Sequence, residues 1–406
     1  MITLAGTANS RFGGLAGLCL WRGFVAGAGS IQLSLRATFS TSPPLHCLHS
    51  PLNSRRMSRL RPTVTIFSSI DVAESLSSAR ADIPLRVLKD EALSGYGGTV
   101  EFDPKRLSTE TASALKEAEI LIAEPAVIAS LLKHDETSLQ SLQWCQSTYA
   151  GVDPLFRAAI SASALKFQLT RFAGCFGPPI AEWGLARIIE HERGFATTAS
   201  DQLKRSWAGS KGKVLNYRYL SSLTLSVLGC GDIGRCIAAV AQGFGMRTIG
   251  YTRTPREENH EGQGGVDEYT TDLSHALQSA DYVVSALPST PETRRLLSGE
   301  ALAIACKDKG GKCPVFLNVG RGDVIDEASI VRALDSQYIS AAILDVFEVE
   351  PLPVDSPLWS HNKVVVSPHV SGLTQASDVP KVFLSNYERH IDGKSLHHLV
   401  DWNKGY

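Results

Sequence analysis

The sequence predicts an α/β protein in which two doubly wound parallel-sheet domains flank a cleft. Three observations support this fold class. Short β-rich runs alternate with helical patterns, a second alternating series follows the first, and Gly177-Pro178-Pro179 interrupts the chain between the two series. A length of 406 residues also suits two domains better than one.

The strand pattern places four strands in the first series and six in the second. The predicted strands are 64–67, 120–123, 144–147 and 167–170, then 223–228, 247–251, 282–286, 315–319, 341–347 and 363–367. The spacing of apolar residues after Ala181 predicts a connecting helix. Residues 379–390 predict a terminal helix that docks on the first domain. We therefore assign 57–178 plus 371–406 to the first domain and 179–370 to the second.

The first 56 residues form a leader that we place outside the fold. The first 70 residues contain seven arginines, no lysine and no acidic residue. An arginine-rich and serine-rich segment without acids is typical of a mitochondrial transit peptide, which predicts the mitochondrial matrix as the location. The alternative is that Met57 is the working start and the protein is cytoplasmic.

Composition argues against several classes of protein. The formal net charge is −1 overall, so the rest of the chain carries about −8 once the seven arginines of residues 1–70 are set aside, and we expect no binding to nucleic acid. No apolar run approaches the roughly 18 residues that a membrane span needs. The eight cysteines lack paired C-x-x-C spacing. We interpret them as free thiols and expect no metal site.

The clearest motif is a glycine-rich turn between a predicted strand and a predicted helix. It contains Gly229, Gly231 and Gly234, with Asp232 and Ile233 between the last two. The first glycine permits a tight turn, the second lets the backbone approach a pyrophosphate, and the third lets helix and strand pack closely. The motif predicts that the second domain binds a dinucleotide at the start of the helix.

The end of the next strand distinguishes between the two nicotinamide dinucleotides. An acidic residue there would bind the ribose 2′-hydroxyl of NAD(H) and repel a 2′-phosphate. This chain instead has Thr252, Arg253 and Arg256, which can accept a 2′-phosphate. We expect NADP(H) to be preferred, with NAD(H) possible. The alternative is that both arginines are solvated loop charges.

Three segments with polar side chains, 318–323, 345–351 and 367–369, lie at the ends of predicted strands of the second domain. Ligands of open α/β sheets bind at the carboxyl ends of the strands. An arginine there can hold a substrate carboxylate, and a histidine can give a proton to an oxygen as hydride reaches the adjacent carbon. A carboxylate beside the histidine would orient its ring.

Together these motifs resemble the D-isomer-specific 2-hydroxyacid dehydrogenase family, and within it the glyoxylate/hydroxypyruvate reductases. The resemblance covers nearly everything after residue 62. It rests on the glycine motif, on Ser-Ala-Leu-Pro-Ser-Thr-Pro-Glu-Thr at 285–293, on Asn-Val-Gly-Arg-Gly at 318–322, on 345–351 and on Pro368-His369. It implies Rossmann-like domains, the first flavodoxin-like and the second dinucleotide-binding.

The resemblance also implies roles for individual residues. The catalytic arginine falls on Arg321, the acid/base histidine on His369, and the glutamate on Glu350 rather than Glu348, because the family places it directly before a proline. The further implied contacts are Asp345 with the nicotinamide carboxamide, Leu287 and Pro288 with the adenosine side, and the backbone of Ala150 and Gly151 with the substrate carboxylate opposite Arg321.

The implied activity is hydride transfer from NAD(P)H to a small 2-oxo acid, which gives a D-2-hydroxy acid. The implied assembly is a homodimer. Two alternatives stay open from the sequence. The chain could be another member of the family, of the phosphoglycerate or D-lactate type, or a non-enzymatic dinucleotide sensor similar to the corepressors that share this fold.

Overall fold

The computed structural model describes residues 61–402, except 96–99, 161–164, 208–211, 257–264 and 308–311. The predicted leader and Met57 lie outside the described residues. Two parallel sheets of five and seven strands lie within one compact unit, Arg59–Tyr406. The predicted α/β class is therefore confirmed, whereas the exact bounds of the two domains stay a prediction. Among the described helices, none combines the length and the hydropathy of a bilayer-spanning segment.

The first sheet is built from residues 64–170. Its region contains β1 (Val64–Ile66), α1 (Ala73–Ala79), β2 (Leu85–Val87), β3 (Leu93–Ser94), β4 (Glu101–Phe102), α2 (Thr109–Glu117), β5 (Ile120–Ala123), α3 (Pro125–His134), β6 (Trp144–Ser147), α4 (Asp153–Arg157) and β7 (Gln168–Thr170). The strand order is β2-β1-β5-β6-β7, and β3 pairs with β4 in a separate hairpin. This order is the flavodoxin-like one that the resemblance implied.

Helix α5 (Gly177–Arg193) connects the two sheets and is followed by α6 (Phe195–Leu203). The predicted interruption at Gly177-Pro178-Pro179 is wrong, because α5 begins at Gly177 and its first turn contains proline. Proline fits there since the N–H groups of a first helical turn have no partner within the helix. Gly194, at φ +63°, ends α5.

The second sheet spans residues 224–366. Its elements are β8 (Thr224–Leu228), α7 (Asp232–Gly243), β9 (Arg247–Tyr251), β10 (Glu268–Thr270), α8 (Leu273–Ser279), β11 (Tyr282–Ser285), β12 (Val315–Asn318), α9 (Glu327–Asp335), β13 (Ala341–Leu344) and β14 (Val364–Val366). The strand order is β10-β9-β8-β11-β12-β13-β14. Because β8 lies between β9 and β11, the point where the strand order reverses is at the glycine-rich turn, where such sheets bind dinucleotides.

The terminal helix α10 (Val379–Ile391) docks on the first sheet, as predicted. Phe383 stacks on Trp144 with ring centroids 5.0 Å apart. Tyr387 donates a hydrogen bond to the carbonyl of Pro62 at 2.8 Å. The last part of the chain therefore completes the core of the first domain.

The expectation that all cysteines are free thiols is wrong for one pair. Cys306 and Cys313 form a disulfide, with their Cα atoms 4.7 Å apart. Their separation of seven residues is longer than the C-x-x-C spacing, so that motif does not reveal the pair. Among the described residues, Cys145, Cys175, Cys230 and Cys236 are free.

Candidate active site

Arg321, Glu350 and His369 come together at one edge of the second sheet. They follow the neighbouring strands β12, β13 and β14 in that order. Carboxyl ends of parallel strands meet at the same edge, which is why residues so far apart in sequence converge. All three side chains line a cleft of about 1030 Å³, to which the loop after β6 also contributes.

His369 is paired with Glu350. Its Nδ1 lies 2.8 Å from Glu350 Oε2. The other carboxylate oxygen, Oε1, accepts a hydrogen bond of 2.8 Å from the Phe347 N–H. The second ring nitrogen of His369, Nε2, has no partner among the described residues, so this nitrogen can exchange a proton with a ligand in the cleft.

The charge of Glu350 is set by opposing effects. Burial by itself would raise the pKa of this carboxyl group, but the hydrogen bond and charge of His369, the Phe347 N–H and the charge of Arg321 outweigh burial. The pKa of Glu350 therefore lies below its ordinary value of 4.5. At neutral pH Glu350 is an anion that stabilises the protonated form of the neighbouring imidazole.

Asp345 holds the turn that carries His369. Its Oδ1 accepts hydrogen bonds from Ser367 Oγ at 2.5 Å and the Val370 N–H at 3.0 Å, and its Oδ2 accepts one from the Ser371 N–H at 2.9 Å. The His369 N–H donates to the Asp345 carbonyl at 2.9 Å. These bonds stabilise His369 at φ +54°, a backbone conformation that is uncommon for residues other than glycine.

This arrangement differs from the role that the resemblance implied for Asp345. The residue is completely buried, and both of its carboxylate oxygens already accept hydrogen bonds from the turn. Its predicted contact with a nicotinamide carboxamide stays a prediction. The structural role that the sequence did not reveal is the support of the His369 turn.

The guanidinium group of Arg321 is fixed by contacts at two of its nitrogen atoms. Its Nε lies 3.1 Å from Asp153 Oδ2, and its Nη1 donates to the Gly320 carbonyl at 2.8 Å. Its Nη2 lies so close to Gly151 that a Cβ atom at that position would overlap it. The free edge of the guanidinium and the Gly151 backbone therefore lie side by side, which is a suitable place for a carboxylate.

The loop that carries Ala150 and Gly151 is fixed by two hydroxyl groups. Ser147 Oγ donates to the Tyr149 carbonyl at 2.7 Å, and Thr374 Oγ1 donates to the Thr148 carbonyl at 2.6 Å. Ala150 and Gly151 both line the cleft with Arg321. The structure thus brings the predicted substrate loop to the predicted arginine.

Asp153 is a site residue that the sequence analysis missed. It begins α4 and pairs with Arg321 across 168 positions of sequence. In the sequence it precedes a proline, where an acid is commonly an N-terminal helix residue that complements the helix dipole. Its position in the same loop as Ala150 and Gly151 was the only available signal.

The glycine-rich turn has the geometry that a dinucleotide requires. Gly229 has φ +95°, and its N–H donates to the Tyr251 carbonyl at 3.1 Å. A Cβ atom at Gly234 would overlap the Gly229 carbonyl oxygen, whereas one at Gly231 would meet nothing within 4 Å. The turn is therefore tight on the strand side and open above Gly231, where backbone N–H groups at the start of α7 can approach phosphates.

The residues predicted to select the cofactor lie beside this turn. Thr252 is buried, and its hydroxyl donates to the Thr254 carbonyl at 2.8 Å. Arg256 Nη1 donates to the Cys230 carbonyl at 2.7 Å, which holds its guanidinium at the glycine-rich turn. Arg253 is exposed. One cation is therefore fixed at the turn and the other faces solvent.

The other predicted cofactor residues flank the same turn. Asp232 is exposed in the first turn of α7, and Ile233 lines the cleft. Leu287 is buried just beyond β11, and the Pro288 carbonyl accepts a hydrogen bond of 2.5 Å from Thr293 Oγ1. They therefore lie just beyond the ends of the two neighbouring strands β8 and β11, where the dinucleotide is expected.

Comparison with known proteins agrees with this geometry. Residues 185–371 match the family model for the D-isomer specific 2-hydroxyacid dehydrogenase, NAD binding domain. A glyoxylate/hydroxypyruvate reductase B of Citrobacter koseri is 31% identical over 264 residues, which is 65% of this chain and 78% of the relative.

Solved structures extend the similarity over both sheets. A D-isomer specific 2-hydroxyacid dehydrogenase family protein from Aeromonas salmonicida is 32% identical with a TM-score of 0.70, over 84% of this chain and 99% of that one. A D-isomer specific 2-hydroxyacid dehydrogenase from Xanthobacter autotrophicus, solved with NADPH and MES, is 26% identical with a TM-score of 0.65, over 85% of this chain and 100% of that one.

The strand orders are those that the resemblance implies, and the glycine-rich turn and the three strand-end residues on which the resemblance rests lie within the matched residues. The chain belongs to the D-isomer specific 2-hydroxyacid dehydrogenase family of oxidoreductases.

Proposed function

We propose that this protein uses NADPH to reduce small 2-oxo acids of the glyoxylate and hydroxypyruvate type to D-2-hydroxy acids. One observation carries the proposal, namely the convergence of Arg321, the Gly151 backbone and the Glu350–His369 pair on a single cleft. The name of the Citrobacter koseri relative supports the substrate class. Arg321, Glu350 and His369 are the catalytic residues in this proposal.

In this proposal, different groups of the site bind the substrate and donate the proton. A bound reduced nicotinamide supplies the hydride that reaches the carbonyl carbon. Arg321 and the N–H groups of Ala150 and Gly151 bind the substrate carboxylate and orient the carbonyl. His369 Nε2 donates a proton to the carbonyl oxygen as the carbon–oxygen double bond becomes single, and Glu350 stabilises the protonated ring before this transfer.

The residues of the second domain fit a dinucleotide. The turn from Gly229 to Gly234, including Asp232 and Ile233, would hold the pyrophosphate at the start of α7. Leu287 and Pro288 would line the adenosine side. The open space above Gly231 supports this placement.

We propose a preference for NADP(H), with NAD(H) use still possible. The end of β9 carries Thr252, Arg253 and Arg256 and no acid that would repel a 2′-phosphate. The fixed guanidinium of Arg256 and the exposed one of Arg253 can both bind that phosphate. The NADPH in the Xanthobacter autotrophicus structure supports the same preference.

Initial-rate kinetics test the proposal directly. Purified protein is assayed with NADPH and NADH against glyoxylate, hydroxypyruvate and pyruvate, and the configuration of the product is determined by chiral chromatography. We expect NADPH oxidation with glyoxylate or hydroxypyruvate and a higher kcat/KM for NADPH than for NADH. NADPH binding without turnover of any 2-oxo acid would favour a dinucleotide sensor instead.

We further propose that the protein is a homodimer whose contacts come largely from the second domain. Several large apolar side chains in the segment after α5 are exposed, which indicates a surface that a second copy covers. These residues are Phe195, Leu203, Trp207, Leu215 and Tyr219. Trp207, at 100% exposure, is the most exposed of them.

We also propose location in the mitochondrial matrix. Support comes from the arginine-rich, acid-free composition of the first 56 residues. A fluorescent reporter fused to residues 1–56 should enter mitochondria. A version in which Arg11→Gln, Arg22→Gln and Arg36→Gln reduce the five arginines of this segment to two should not. A cytosolic signal from the unmodified fusion would favour Met57 as the working start.

A further inference from the structure

Among the described residues that line the cleft, each of the four carboxylates is paired with a cationic side chain, and one arginine has no such partner. The pairs are Arg321–Asp153 at 3.1 Å, His369–Glu350 at 2.8 Å, Arg295–Glu348 at 3.0 Å and Arg294–Asp323 at 3.5 Å. Arg157 lines the same cleft, is exposed, and has no hydrogen bond or ion pair with any described residue. The lining therefore carries one uncompensated positive charge when His369 is protonated.

The position of Arg157 relative to the proposed carboxylate site is fixed by α4. Asp153, which pairs with Arg321, begins this helix, and Arg157 ends it. Residues four apart lie on the same helix face, separated by about 6 Å along the axis. Arg157 therefore extends the polar face of α4 by one turn beyond the Arg321–Asp153 pair.

Part of the cleft wall is apolar. Phe156 and Trp402 both line the cleft, with ring centroids 5.0 Å apart and ring planes at 53°. Val100 and Ala126 also line the cleft. Such a wall suits methylene groups, whereas glyoxylate has no carbon beyond its carbonyl to place there.

We propose that Arg157 binds a second carboxylate of the substrate, so that the preferred substrates include 2-oxo dicarboxylic acids with one or two methylene groups between the carbonyl and the distal carboxylate. The inference rests on the proposed function, since it extends the same site. An extended chain of four carbon–carbon bonds spans about 5 Å, which is comparable to one turn of α4. The reduction itself is unchanged, because the distal carboxylate takes no part in it.

The test compares two substrates of equal carbon number. These are 2-oxoglutarate and 2-oxopentanoate, which has a methyl group in place of the distal carboxylate. We expect Arg157→Met to lower the ratio of their kcat/KM values by about 10- to 100-fold, because a charge-assisted contact is lost for one substrate only. Arg157→Lys keeps a point charge but not the planar fork and should retain part of the ratio.

Arg106→Met is a matched control, since Arg106 is also exposed in the last turn of a short helix but does not line the cleft. Its substrate ratio should equal that of the wild type. The inference is overturned if Arg157→Met leaves the ratio unchanged, if it lowers kcat/KM for both substrates equally, or if the wild type reduces 2-oxopentanoate and phenylpyruvate but not 2-oxoglutarate. Failure to reduce glyoxylate, hydroxypyruvate or any other 2-oxo acid would instead refute the proposed function.

Discussion

At the level of single residues, the Glu350–His369 pair sets the pH range in which the site can donate a proton. The lowered pKa of Glu350 means that its carboxylate stays ionised as the pH falls below 4.5, the ordinary value for this group. The anionic partner of His369 is therefore present at neutral pH and is lost on acidification only when the pH passes the lowered pKa of Glu350.

Glu350→Gln should lower kcat for reduction by about 10- to 100-fold, since the protonated ring loses its anionic partner. The acidic limb of the pH profile of kcat/KM that follows protonation of Glu350 should be absent from this variant, because glutamine does not titrate. Glu348→Gln is the control, because Glu348 lies two residues away and pairs with Arg295 rather than with His369. A wild-type kcat and an unchanged acidic limb in Glu350→Gln would contradict this role.

Gly151→Ala should damage substrate binding without unfolding the protein. The added methyl group would overlap Arg321 Nη2, so the guanidinium must leave the place where we position the substrate carboxylate. We expect kcat/KM for 2-oxo acids to fall by about 100-fold or more, as a displacement of about 1 Å can produce. Gly184→Ala in α5, where a Cβ meets nothing within 4 Å, should leave kinetics unaltered.

Some residues of this site can be identified from the sequence, and others cannot. Arg321 and His369 stand in motifs that end predicted strands, so their convergence follows from the fold. Asp153 could not be found in this way, because its partner lies 168 residues away and its own surroundings suggest only a helix start. Arg157 likewise has no local signal, since its significance depends on the pairing of every other charge in the cleft.

At the level of elements, the turn between β14 and α10 determines where His369 lies. The turn is held by a buried carboxylate, Asp345, that accepts hydrogen bonds from Ser367, Val370 and Ser371. Buried polar groups of this kind are costly to disturb, because a donor left without its acceptor loses its interactions with both protein and water.

Asp345→Asn should destabilise the protein by about 1–3 kcal/mol, because the amide group places an N–H donor against backbone N–H groups. Thermal or urea unfolding measures this loss. If Asp345 acts only through the turn, kcat should fall while the Kd for NADPH, measured by fluorescence titration, changes little. A large rise in that Kd with unaltered kcat would show instead that Asp345 contacts the nicotinamide, as the family resemblance implies.

The elements themselves could be predicted where they are buried on both sides. Strand β5 is a continuous apolar run, fully buried, and its predicted bounds match the structure. Strands β2 and β10 were missed, because each is a three-residue edge strand that is not fully buried and that includes a charged residue, Arg86 and Glu268 respectively. An edge strand lacks the apolar run that marks a central strand.

At the level of the whole molecule, the segment after α5 exposes more large apolar side chains than is usual for a surface in contact with water only. Leu203 is 88% exposed and Trp207 is 100% exposed, close to one another in sequence. Isolated apolar residues on a surface need no explanation, but several within one segment indicate an interface. The proposed homodimer accounts for this segment.

Trp207→Ser combined with Leu203→Ser should therefore weaken the dimer, because fewer apolar side chains are withdrawn from water when two copies associate. Light scattering coupled to size-exclusion chromatography should give a dimer mass for the wild type and a shift towards the 43.7 kDa monomer for the double variant on dilution. Trp359→Ser removes a tryptophan that is 55% exposed but lies outside this segment, so its mass should match the wild type. A wild-type monomer at every concentration would refute the dimer, and a double variant that stays as dimeric as the wild type would place the interface elsewhere.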